Sequence, residues 1–250
     1  SVGSDRIRSL LCILCCEGVG GSLTSALPSA AAVELLHNFS VIHDDIRAGL
    51  PERDHKSTVW WEWGPAQAIN AGDGMHALAR LALLSQPDGE LDPVRILKSV
   101  NLLDQACLRL CEGQYLDLTY QERVDVTPEA YFRMVEGKSG ALMECAAALG
   151  ATIATGEMAT INALSSFGLK LGVGAQIRRD INDIWKLPDS GESPSSDILN
   201  KKKSLPVIYA LQNATGKQKH VLGDIYFRRV MEPDDLGLLV DVLETLGARD

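Results

Sequence analysis

The stretch Met158–Trp185, MATINALSSFGLKLGVGAQIRRDINDIW, decides the fold. Its apolar residues recur at helical spacing instead of alternating, and it closes on the charged run Arg178-Arg179-Asp180-Ile181-Asn182-Asp183. On a helix, Gln176, Arg179, Asp180 and Asp183 stand at i, i+3, i+4 and i+7 and share one face. The segments Ala26–Arg47, Pro65–Ser85 and Pro93–Glu122 are likewise rich in Ala and Leu and are bounded by Gly, Pro, Ser or Asp. β-Branched residues are scattered, with no alternating runs between turn signals, so the reading is an all-α chain. Pro28, and Pro128 after Thr127, read as signals near helix starts, and Gly18-Val19-Gly20-Gly21-Ser22 reads as a turn between helices. With no repeat, no low-complexity tract and no linker between composition regimes, residues 1–250 are expected to form a single domain.

A second acidic cluster, His43-Asp44-Asp45, closes the Ala26–Arg47 segment, with His37 on the same face as Asp44 two turns earlier. Carboxylate faces of this kind are costly to bury without a partner. Mg²⁺ takes one or two carboxylates together with waters and substrate phosphates, so two such clusters suggest a divalent metal shared with a phosphorylated substrate. A solvated, salt-bridged helix face explains either cluster alone equally well. Two breaks adjoin the clusters: Gly49–Ser57, carrying Arg53, His55 and Lys56, and the serine- and proline-rich Leu187–Ser196, which reads as a lid.

Composition excludes several classes. Of the 250 residues, 46% are hydrophobic and 23% charged, the balance of a globular chain with a large core, and the net charge of −9 argues against nucleic acid or an anionic membrane as a partner. No apolar run reaches the roughly 18 residues of a membrane span and no signal-peptide pattern is seen, so a cytoplasmic protein is expected. The six cysteines lie mostly in apolar helical stretches without histidines at ligand spacing and read as buried thiols. Trp60, Trp61 and Trp63 form an aromatic knot, either packing its loop onto the helices or shielding a cation.

Taken in order, these landmarks resemble the trans-isoprenyl diphosphate synthase, or polyprenyl synthetase, family along nearly the whole chain. Gly3-Ser4-Asp5-Arg6-Ile7-Arg8 resembles its GGKRxRP segment, and Glu34–His37 through His43-Asp44-Asp45-Ile46 resembles the helix of its first aspartate-rich motif. Gly72-Asp73, Gly113-Gln114 with Asp117, Gly137-Lys138-Ser139-Gly140, Gln176 with Asp180 and Asp183, and the segment from Asp197 to Pro206 follow at family-like spacing. The resemblance implies an all-α isoprenoid-synthase bundle around an apolar cavity, usually in a homodimer. It implies an enzyme that ionises an allylic prenyl diphosphate with Mg²⁺ so that isopentenyl diphosphate attacks the cation. Carried over residue by residue, Asp44, Asp45, Asp180 and Asp183 would be metal ligands, with Asp44, Asp45, Asp180 and Lys138 catalytic. Arg8, His37, Arg53, Ser139, Gln176 and Arg179 would contact substrate, and Phe39 would close the cavity floor for chains of about C10 to C20.

The chain departs from the pattern where charge matters most. Ala48 and Arg179 stand where the family places further aspartates, and Asp5 and Asp54 stand where it places a lysine and an arginine of the isopentenyl diphosphate pocket. A like charge beside a diphosphate costs on the order of 1 kcal/mol at surface-like dielectric, so that pocket should suffer. The lid lysine is replaced around Glu192. Three readings follow: chain elongation, terpene-synthase-like ionisation or cyclisation without a second diphosphate, and a non-catalytic subunit pairing with an active prenyltransferase.

Overall fold

The computed structural model describes residues 6–85, 92–185, 201–228 and 233–249. The expected lid at Leu187–Ser196, with Glu192, the segment Asp197–Asn200 and Asp5 lie outside them. The described chain is all-α but for one two-residue hairpin. In order it forms α1 (Ile7–Gly18), α2 (Leu23–Ala48), β1 (Glu52–Arg53), β2 (Lys56–Ser57), α3 (Val59–Trp63), α4 (Pro65–Leu84) and α5 (Pro93–Gln121). There follow α6 (Pro128–Val135), a π-helical turn (Glu136–Gly140), α7 (Ala141–Ala154), α8 (Met158–Trp185), α9 (Leu205–Asn213), α10 (Gly216–Phe227) and α11 (Pro233–Thr245).

Helix boundaries follow local chemistry. Thr127 caps α6 by accepting the Ala130 N–H at 3.2 Å, with Pro128 at the first helical position where its missing N–H costs nothing. The start of α2 differs from expectation. Its cap is Ser22, which exchanges hydrogen bonds with Ser25 in a capping box, whereas Pro28 lies inside the helix. The unsatisfied N–H groups at a helix start are met by hydroxyl side chains more directly than by proline, and this start has a serine to use.

Two compact units divide the chain, Ser1–Leu108 with Gly140–Lys170 and Arg109–Ser139 with Leu171–Asp250, and the boundaries fall inside α5, the π-helical turn and α8. In the first unit, α2 packs on α4, and α1 on α7 and α2. Every residue of α7 from Ala141 to Ile153 except Glu144 is buried, and six of them are alanine or glycine. Small side chains let α1 approach closely: a Cβ on Gly150 would collide with the Cys12 carbonyl. Cys12, Cys15, Cys16, Cys107 and Cys145 are buried thiols outside any disulfide, and burial pushes Cys145 up to about 12. Cys111 is exposed, contrary to expectation, because it lies between the exposed Leu108 and Tyr115 on the outer face of α5.

In the second unit, Tyr120, Val126, Tyr131, Met134, Val135 and Ile208 form one buried apolar cluster, against which Val173 and Ile177 of α8 pack. Ile184 of α8 joins a second cluster with residues of α9, α10 and α11, including Val207, Leu222 and Leu239. The apolar stripe read from Met158–Trp185 therefore serves as core, with its polar end carried between these clusters.

Candidate active site

Each acidic cluster sits with its own cations. On α2, Asp45 is buried and receives both the Nε of Arg53, at 2.7 Å, and its terminal NH2, at 2.6 Å. Both nitrogens converge on the one oxygen, Oδ1, a charge-assisted contact that fixes Arg53 at the start of the hairpin. Burial pushes the Asp45 carboxyl up, and the Arg53 bond opposes it. Asp44, one residue earlier, keeps a quarter of its side chain exposed; it pairs with Arg47 and lies 4.0 Å from Arg53.

The hairpin explains Asp54. Asp54 and His55 form its two-residue turn with φ of 50° and 59°, the left-handed pair that a type I′ turn requires. Asp tolerates that conformation better than most residues, so its presence has a backbone reason beside the electrostatic one. The tryptophans divide. Trp60 donates its ring N–H to the Leu50 carbonyl at 2.7 Å and stacks edge-on to Trp61, whereas Trp61 and Trp63 are 60% and 72% exposed. Trp60 therefore joins Thr58, whose hydroxyl donates to the same Leu50 carbonyl at 2.8 Å, in tying this segment to the chain before it. Phe39 meets the rings of His43 and His76 at centroid distances of 4.8 and 5.5 Å, between α2 and α4.

In the second unit the π-helical turn presents Lys138 and Ser139. Such single-turn bulges re-aim side chains that a regular helix would carry elsewhere. The turn runs backbone to backbone against α5: a Cβ on Gly113 would collide with the Lys138 N–H, which accounts for the glycines at 113 and 137. Lys138 donates to the buried Asp117 at 2.6 Å, and Ser139 donates to the side-chain carbonyl of Gln176 at 2.7 Å. The Gln176 NH2 donates in turn to Asp180 Oδ1 at 2.8 Å. Asp180 Oδ2 accepts the Tyr131 hydroxyl at 2.7 Å and the Leu205 N–H at 3.3 Å. Burial, then the Asp180 charge, pushes Tyr131 well above the ordinary phenol range, so it stays a donor.

The expected common face of α8 thus resolves into two edges. Gln176 and Asp180 turn inward, while Arg179 is exposed and forms no ion pair among the described residues. Positions 179 and 180 are about 100° apart around a helix, so a stripe of that width carries one at its wet edge and the other at its dry edge. Asp183 is half-buried, as are Arg8 on α1 and His37 on α2. Just before α9, Lys203 is buried, donates to the carbonyls of Gln121 and Lys201 at 3.0 Å each, and stands 4.5 Å over the Tyr226 ring. Burial lowers it to about 8.

Fitness for a divalent ion follows from these bonds. Among the described residues no group of three or more His, Cys, Asp or Glu is placed to hold a metal ion. A carboxylate offers about four acceptor positions. Asp180 gives three of them to the protein interior, and Asp45 is buried with one oxygen given to Arg53, so neither presents a solvent-facing carboxylate to a hydrated ion. Asp44 keeps its carboxylate partly in solvent and fits the one-carboxylate role that Mg²⁺ accepts when phosphate supplies the other ligands. Sequence reasoning passed over Tyr131, because no motif connects it to a carboxylate 49 positions away.

Known proteins place the chain. The sequence model of the polyprenyl synthetase family matches residues 1–243. The geranylgeranyl diphosphate synthase of Methanosarcina mazei is 39% identical over 249 residues, covering 99% of this chain and 74% of that protein. The geranylgeranyl diphosphate synthase of Mycobacterium tuberculosis is 38% identical over 207 residues, covering 82% of this chain and 58% of that protein. Among solved structures, the geranylgeranyl pyrophosphate synthetase of Pyrococcus horikoshii superposes with a TM-score of 0.90 at 34% identity, over 100% of this chain and 75% of that one. The fold is therefore the all-α isoprenoid-synthase fold of polyprenyl synthases. The chain belongs to the polyprenyl synthetase family.

Proposed function

We propose that this chain is a short-chain prenyl diphosphate synthase acting on an allylic prenyl diphosphate of about C10 to C20. The observation that carries the reading is the family match over residues 1–243 together with the Lys138-Ser139 turn held against Gln176. In the reaction the allylic C–O bond breaks with its electron pair leaving on diphosphate. The double bond of isopentenyl diphosphate attacks the cation, and loss of a proton completes the new allylic chain. Mg²⁺, when bound, would neutralise charge on the departing diphosphate, with Asp44 and Asp183 as the candidate carboxylate ligands.

This chain's own residues supply fixed cations and dipoles. Arg53 and Lys138 are each held by a buried carboxylate, Asp45 and Asp117, so their orientation is set before a diphosphate arrives. Arg179, exposed and permanently charged, takes the place of a carboxylate and would contact the diphosphate, as would Ser139 and Gln176. Arg8 and His37 would serve the second diphosphate. Phe39, flanked by two histidine rings, would limit chain length. The same reading gives one isoprenoid-synthase domain acting in the cytoplasm as a homodimer. Among the described residues no helix is long and apolar enough to cross a membrane.

The test measures diphosphate release from C5, C10, C15 and C20 allylic diphosphates with Mg²⁺, with and without isopentenyl diphosphate, beside an Asp44→Ala control. Longer products that require isopentenyl diphosphate, lost in the control, are expected. Release without isopentenyl diphosphate replaces elongation by ionisation alone, the reading favoured by Asp5 and Asp54. No release from any substrate sinks the enzyme and leaves the non-catalytic subunit.

A further inference from the structure

Tyr131 and Asp180 belong to none of the diphosphate contacts, yet they stand behind two of them. Asp180 is a buried carboxylate, which is expensive unless hydrogen bonds satisfy it. Its donors come from three separate elements: Tyr131 on α6, Gln176 on α8 and the first N–H of α9 at Leu205. Ser204, the residue before α9, makes no capping bond through its side chain, so Asp180 supplies the acceptor at that end.

The direction of the bonds matters more than their number. A carboxylate only accepts, so Asp180 compels Gln176 to turn its NH2 inward and its carbonyl toward Ser139. Ser139 must then donate to Gln176, which uses its one proton and leaves its oxygen lone pairs as the only function it can offer elsewhere. Tyr131, kept protonated by its burial, occupies the other Asp180 oxygen and prevents the carboxylate from rotating. Lys203 and Leu205 lie within one turn of each other, and Lys203 is tied to the end of α5 through the Gln121 carbonyl. The Lys201–Leu205 segment is thereby pinned through Lys203 and through Leu205.

We propose that Asp180, braced by Tyr131, is a positioning residue that sets the polarity of the Ser139–Gln176 pair and the seat of the Lys201–Leu205 turn, and is not a metal ligand. This rests on the prenyl-transfer reading above. The experiment is a double-variant cycle on kcat with Tyr131→Phe, Gln176→Ala and both together, beside Asp180→Asn. Tyr131→Phe is expected to lower kcat about tenfold, the loss expected when a buried charged acceptor is deprived of one donor, with KM for the allylic diphosphate changed less than about threefold. In the Gln176→Ala background the same substitution is expected to cost less than about twofold, because the group through which Tyr131 acts is gone. Losses that multiply, or a Tyr131→Phe enzyme with native kcat, overturn the proposal.

Asp180→Asn gives a readout independent of turnover and of whether Tyr131→Phe folds. The thermal shift produced by Mg²⁺ with inorganic diphosphate should survive in it undiminished while kcat falls at least tenfold. Loss of that shift makes Asp180 a ligand and overturns the proposal. A native protein without prenyl transfer overturns the function itself, whereas an active native protein with multiplying losses overturns only the relay.

Discussion

Arg53 shows how one residue can be asked to do two things. Its side chain is 39% exposed, yet two of its nitrogens are given to Asp45, which is 8% exposed. Removing the guanidinium strands a buried carboxylate, which costs more than the pair itself contributes. Arg53→Ala is expected to destabilise the protein by about 1–3 kcal/mol, discounted for the solvent that reaches the arginine, and Asp45→Asn in the same chain should restore most of it. Urea unfolding of the single and double variants measures both. Equal losses in the presence and absence of Asp45 would show the contact to be incidental. Arg53→Lys keeps the charge without the second nitrogen and should fall between.

The π-helical turn is the element on which the second unit's chemistry hangs. A regular helix through Glu136–Gly140 would carry Lys138 and Ser139 to other headings, and the bulge is tolerated because α5 offers only hydrogen at Gly113. Gly113→Ala places a methyl group where the Lys138 backbone stands, and backbone cannot step aside as a side-chain tip can. The expected cost is about 1–3 kcal/mol in unfolding free energy, with prenyl transfer falling more than about a hundredfold as Lys138 and Ser139 shift. A Gly113→Ala protein of native activity would show that the turn's register is not needed. Gly113 was among the landmarks visible in the sequence; its reason, contact with a turn two dozen residues later, was not.

For the whole molecule the governing quantity is a net charge of −9 that must still accommodate polyanionic substrates. Cations held by buried carboxylates leave little net positive charge, so diphosphate should bind as a complex with Mg²⁺. Inorganic diphosphate with Mg²⁺ is expected to raise Tm, by an amount equivalent to about 2.7 kcal/mol at a hundred times Kd, and either component alone should not. Asp44→Ala should abolish the shift. A full shift with diphosphate alone would mean that Arg179 and its neighbours replace the ion altogether.

The sequence by itself determined the all-α class and, to within a few residues, the spans of α2, α4, α5 and α8, because helical periodicity and Pro, Gly and Ser boundaries are local properties of the chain. It also determined the family, through motifs whose order survives even where single residues have changed. Only the tertiary structure decided which member of each aspartate pair is committed inside the protein. Asp45 and Asp180 are held by Arg53, Tyr131, Gln176 and Leu205, and hydrogen-bond partners brought together across distant segments leave no periodic trace. The same holds for Asp54, whose left-handed backbone is set by the hairpin closing around it and not by its charge.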